Sequence, residues 1–152
     1  MKIVEAKPGD LPEVLELQHL AYGSEAELYE DYSIAPLMQT LEELEQDVAA
    51  GVCLLVRAEG RVIASIRARA SGDRCFIGKL AVHPEYQGQG IGYSMIAAIE
   101  RRYERCTTFE IFTGHRSERN LYLYGKAGYR AEERVRINDK LDLIYLRKYP
   151  NQ

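Results

Sequence analysis

The stretch "YQGQGIG", Tyr86 to Gly92, constrains this chain more than any other. Glycine stands at every second position, behind an apolar segment that ends at Pro84 and ahead of "YSMIAAIERRYERC". Glycine removes the side chain from a turn, so backbone N–H groups can approach a partner closely. The segment that follows puts Ile91, Met95, Ile96 and Ile99 on one stripe, with Arg101, Arg102 and Arg105 toward its end. That is the pattern of a helix buried on one face, with cations where its dipole favours them. A glycine turn running into a helix N-terminus leaves N–H groups unpaired beside a positive dipole end, the natural seat of an oxyanion such as a phosphate.

Two familiar phosphate loops fail on spacing. A dinucleotide fingerprint counted from Gly88 and Gly90 needs glycine where Tyr93 stands. The nucleotide P-loop, with its lysine followed by serine or threonine, occurs nowhere in the chain.

Around the loop the pattern predicts one mixed α/β sheet with helices on its faces. "KIVEA" reads as a strand, and Asp10 is placed to cap a helix over "LPEVLELQHLAYG". From Ser24 to Gln39 no period is clean, which predicts an irregular or partly helical connection. Thr40 and Glu43 form a capping box for a helix that Gly51 ends. Three strands follow, "VCLLVRA", "VIASIRARA" and "RCFIGKLAVHP", turning at "EGR" and "SGD". Beyond the glycine loop and its helix come the strand "TTFEIFTG" and a helix capped by Ser117 and stopped by Gly128. A closing hairpin, "YRAEERVRI" and "KLDLIYLRK", completes the order. With 152 residues and no linker or repeat, the expectation is a single domain over 1–152.

Composition excludes several classes. No apolar run reaches the ~18 residues of a membrane span, and "MKIVEAKPGD" lacks a signal peptide's apolar region, so a cytoplasmic chain is expected. Cys53, Cys75 and Cys106 are scattered among apolar neighbours, and His19, His83 and His115 cluster with none of them. Neither a disulfide framework nor a metal site is expected. Charge is unevenly spread: from Asp10 to Val56 there are eleven acidic residues and no Lys or Arg, while from Arg57 onward eighteen basic residues face eleven acidic ones. Without a concentrated basic run interleaved with aromatics, nucleic acid is a poor partner. The division instead suits a chain that meets an anion with one half and a cation with the other.

"LAVHPEYQGQGIG" resembles the pyrophosphate loop of the GNAT superfamily of N-acetyltransferases. In that loop a glutamine or arginine is followed, after two residues, by glycine, one residue, and glycine or alanine. Gln87, Gly90 and Gly92 fill the pattern. "NLYLYGKAGY" is similar to the family's second signature through Leu123, Tyr124, Lys126, Gly128 and Tyr129. The resemblance covers essentially the whole chain. It implies a mixed, mostly antiparallel sheet of about seven strands with helices on both faces, and an acetyl-CoA-dependent N-acetyltransferase that needs no metal.

By the same resemblance, N–H groups from Gln87, Gly88, Gln89, Gly90, Ile91 and Gly92 cradle the pyrophosphate of acetyl-CoA. Pantetheine lies beside Leu80, Ala81 and Val82, where an N–H group can stabilise the thioester oxyanion. Tyr124 is assigned as the general acid that protonates the departing thiolate. Asn120, one turn before it, is placed to bond the pantetheine amides. One departure stands out: Lys79 occupies the place where many relatives carry a glutamate, which leaves another carboxylate, water or uptake of a neutral amine to supply the free amine. Glu25, Glu30 and Asp31 are the acids placed to attract a cationic amine, small molecule or peptide. A non-catalytic acyl-CoA sensor and a protein N-terminal acetyltransferase are the alternatives, and a homodimer is compatible with either.

Overall fold

The computed structural model describes residues 1–150; the last two positions of the expected 1–152 domain lie outside the described residues. One sheet holds seven strands: β1 (Ile3–Glu5), β2 (Val52–Ala58), β3 (Arg61–Ser71), β4 (Arg74–Val82), β5 (Thr108–Gly114), β6 (Arg130–Arg136) and β7 (Asp142–Lys148). Their spatial order is β1-β2-β3-β4-β5-β7-β6, and only the β4–β5 pair is parallel. Helices α1 (Leu11–Ala21) and α4 (Leu41–Ala49) cover one face; α5 (Ile91–Arg102) and α6 (Glu118–Lys126) cover the other.

The apolar run of β2 is long because both of its faces are covered. Cys53 and Leu55 pack with Leu11, Val14, Leu17 and Leu44 on the α1 side. Leu54 and Val56 pack with Ile66, Met95, Ile96 and Ile99 on the α5 side. All three cysteines are buried free thiols, as expected.

Local signals held where the partner was local. Thr40 Oγ1 accepts from Glu43 N at 3.2 Å while Glu43 Oε1 accepts from Thr40 N at 2.9 Å, the reciprocal capping box expected for α4. Gly128, at φ 99°, follows the end of α6. Two expected caps are corrected. The Asp10 carboxylate does not cap α1 but accepts from Lys7 N at 2.8 Å and pairs with Arg57 at 2.7 Å. Ser117 precedes α6 without capping it, because its hydroxyl is drawn to Glu25 at 2.7 Å. Gly51 follows the end of α4 as expected, though not in a left-handed conformation; a Cβ there would lie 2.0 Å from the Ala68 carbonyl oxygen, so it permits close contact with β3. The stretch expected to be irregular or partly helical is partly helical, with two short helices, α2 (Gly23–Tyr29) and α3 (Ala35–Met38).

The sheet opens at its centre. β4 pairs with β5 only from Arg74 to Phe76. Farther along, Ser65 faces Ala81 and Arg67 faces Gly78, so Ile66 stands opposite both Lys79 and Leu80. Lys79 takes φ 52°, the left-handed residue of this β-bulge. Bulge and parting together leave the end of β4 with one free edge.

Candidate active site

Backbone groups of one strand residue alternate in direction with those of the next. His83 N donates to Ile63 O at 2.7 Å, toward β3. By alternation Val82 and Leu80 turn their N–H and C=O groups to the free edge. The side-chain partners agree: Leu80 O accepts from the Tyr22 hydroxyl at 3.1 Å and Val82 O from Gln87 Nε2 at 3.2 Å. A cleft of about 1050 Å³ lies along this edge, walled by β4, the glycine turn, α2 and α6.

At one end the glycine turn meets α5. Gly88 and Gly90 have φ 79° and 80°, a region open to glycine at little cost. A Cβ on either would meet nothing within 4 Å, so the inner face of the turn is clear. The first α5 bond runs from Ser94 N to Gly90 O at 3.1 Å, which leaves the N–H groups of Ile91, Gly92 and Tyr93 without helical acceptors. Gly92 does a different job from the other two: a Cβ there would meet Leu123 Cδ2 at 3.0 Å, so it seats α5 against α6. Cations gather at this end. Arg119 donates to Gln87 Oε1, and Lys126 lies 5.5 Å from the Tyr93 ring centroid. Open N–H groups, dipole and cations together fit a pyrophosphate.

At the other end stands Glu25 of α2. Its Oε2 accepts from Ser117 Oγ at 2.7 Å and its Oε1 from Asn120 Nδ2 at 3.0 Å. Glu27 of the same helix also lines the cleft. Tyr124 of α6 is 3% exposed and is not part of the cleft wall. Its hydroxyl has no hydrogen-bond partner among the described residues, although it is not fully enclosed as Ser65 Oγ is. Burial, then the neighbouring Tyr22 and the charge of Glu25, push its pKa well above the usual phenol value. Tyr22 is raised as well, by burial and then by Glu25. Both phenols stay protonated through neutral pH, as a proton donor must.

A model of the Acetyltransferase (GNAT) family matches residues 12–129. The chain belongs to this family. Among curated proteins no sequence matches it. Solved GNAT structures share its fold at low identity. A ribosomal-protein-alanine N-acetyltransferase from Brucella melitensis is 17% identical at TM-score 0.75, covering 98% of this chain and 99% of its own. A GNAT family acetyltransferase from Elizabethkingia anophelis with acetyl-CoA bound is 21% identical at TM-score 0.71, covering 97% of each chain. A spermidine N-acetyltransferase chimera from Vibrio cholerae is 15% identical at TM-score 0.73, covering 99% of this chain and 97% of its own.

Of the site residues expected from the sequence, Leu80, Ala81, Val82, Gln87, Gly88, Gly90, Ile91, Gly92, Asn120 and Glu25 line the cleft; Gln89 does not. Asn120 Nδ2 is already spent on Glu25 and on Thr113 Oγ1 at 3.2 Å, so only its Oδ1 remains for a ligand amide. Glu30 and Asp31 lie outside the cleft wall. The Glu30 carbonyl accepts from Lys140 Nζ at 2.8 Å and Asp31 accepts from Ser33 N at 2.9 Å, both serving the turn after α2. Lys79 is half-buried, and burial, then Arg67, lower its pKa. Sequence reasoning missed Tyr22, Tyr29, Ser117 and Arg119. Their partners lie 32 to 92 residues away, and no local pattern marks them.

Proposed function

We propose that the protein transfers the acetyl group of acetyl-CoA directly to a primary amine, and that the preferred acceptor is cationic. The observation that carries this reading is one cleft with opposite chemistry at its two ends: bare N–H groups with Arg119 and Lys126 at one, Glu25 and Glu27 at the other. The glycine turn would hold the pyrophosphate, and the N–H groups of Leu80 and Val82 on the free edge would bond the pantetheine arm and the thioester oxygen. Tyr124 would give its proton to the departing sulfur. Much of the acceleration would come from holding amine and thioester in line. In the Elizabethkingia anophelis neighbour acetyl-CoA is bound, and the Vibrio cholerae neighbour is a spermidine acetyltransferase; both support the reading by analogy of fold.

An amine panel with acetyl-CoA, read as free thiol, tests it. Polyamines and other cationic amines are expected to outperform glutamate, with kcat/KM falling as ionic strength rises. Glu27→Lys should erode that preference and leave acetyl-CoA binding intact. No amine-dependent thiol release, with CoA still bound, would favour a non-catalytic acyl-CoA sensor.

A further inference from the structure

Glu25 is half-buried, and both its oxygens are held, yet among the described residues no Lys, Arg or His forms an ion pair with it. Arg116 lines the same cleft but places its Nη1 toward the Leu28 carbonyl, 3.5 Å away. A carboxylate drawn partly out of water needs a cation or well-aimed donors. Here it has only neutral donors, and its charge faces the cleft.

Those donors are ordered in one direction. Arg116 N donates to the Tyr29 hydroxyl at 2.9 Å, and the Tyr29 and Ser117 oxygens lie 2.9 Å apart. Ser117 has a single proton, and Glu25, which can only accept, takes it at 2.7 Å. Tyr29 must therefore donate to Ser117. The chain runs from Arg116 N–H through the Tyr29 O–H and the Ser117 O–H to Glu25, each bond polarising the next toward the carboxylate. Asn120 completes the hold from the other oxygen. The Tyr29 ring is 4% exposed and wedged against Gly114, so the chain starts from a fixed point.

We infer that Glu25 is the acceptor-side carboxylate: it binds the ammonium of the incoming amine and takes its proton, while Tyr29 and Ser117 act as positioning residues. The inference rests on the acetyltransferase reading. It also answers the lack of a β4 carboxylate, since Lys79 stands where that group would be sought. The ammonium gives one proton to Glu25 and frees its lone pair. The nitrogen–carbon bond forms at the acetyl carbonyl as the carbon–sulfur bond breaks. The sulfur takes the Tyr124 proton, and the nitrogen's second proton restores that phenol. Glu25 returns its proton to solvent. The acceptor class is a primary ammonium on a neutral or cationic body, because Glu27, which lines the same cleft, would repel an acidic one.

Two readouts test this on the intact protein: calorimetric binding of 1,4-diaminobutane to the CoA-saturated protein, and thiol release with the same diamine and acetyl-CoA. In Glu25→Gln, diamine affinity is expected to fall at least ~10-fold and kcat by ~10²–10³-fold, with acetyl-CoA KM within about twofold of wild type. Ser117→Ala should raise the diamine KM and lower kcat without moving acetyl-CoA KM, and Ser117→Thr should restore both. If wild-type protein binds the diamine and Glu25→Gln does not, but neither releases thiol, the role of Glu25 as the ammonium site stands, and both its proton transfer and the acetyltransferase reading fall. Wild-type-like diamine binding or turnover in Glu25→Gln overturns the inference alone. So does a wild-type protein that binds no diamine.

Discussion

Gly114 approaches Tyr29 so closely that a Cβ at this position would lie 2.0 Å from the phenol oxygen and 2.5 Å from Cζ. The absent side chain lets a tyrosine from α2 reach the end of β5, some 85 residues on in the chain. Gly114→Ala is expected to push Tyr29 out of line and destabilise the fold by ~1–3 kcal/mol, the usual cost of overpacking. Urea unfolding measures the loss, and a midpoint equal to wild type would show that α2 yields freely.

Gly90 precedes α5 at φ 80°, and a Cβ added there would meet no neighbour within 4 Å. Gly90→Val therefore costs backbone strain, about 1–2 kcal/mol, rather than a clash within the protein. The added methyls would fill space that the pyrophosphate is proposed to occupy. CoA affinity by calorimetry should fall at least ~10-fold in the folded variant; unchanged affinity would place the phosphates elsewhere.

Because the Tyr124 hydroxyl has no hydrogen-bond partner among the described residues, Tyr124→Phe should leave stability within about 0.5 kcal/mol of wild type. Turnover should nevertheless drop ~10²–10⁴-fold, with acetyl-CoA KM little changed. A variant with wild-type kcat would mean that the thiolate leaves unaided.

Burial pushes the Cys53 thiol from its ordinary 9.0 up to about 11 and the Cys75 thiol up to about 12. A folded-state pKa above the unfolded one favours the protonated form, so this stability is complete below pH 9.0 and is lost as pH rises through about 11 and 12. Urea midpoints should decline across that window. At neutral pH neither thiol should react with a thiol reagent until the protein unfolds.

Sequence by itself determined whatever depends on neighbours in the chain. The capping box of Thr40 and Glu43, the buried stripe of α5 and the turn at Gly88 and Gly90 are set by spacing, because backbone geometry and side-chain period act over a few residues. The glycine-loop signature lies on one of those units and the second signature on α6, each a run of near neighbours, so both were legible. Tertiary structure alone decided which acid lines the cleft. Glu25 could not be told from Glu30 and Asp31 by composition, since all three are acids in one polar stretch. Only the fold brings Ser117 and Asn120 against the first and leaves the other two at the turn after α2. Ser117 shows the reason within one residue. Its place before α6 marks it as a cap, but a carboxylate 92 positions away in sequence lies 2.7 Å off in space and takes the hydroxyl proton. A charge-assisted bond outweighs a neutral one, and no local rule registers a partner that only folding supplies.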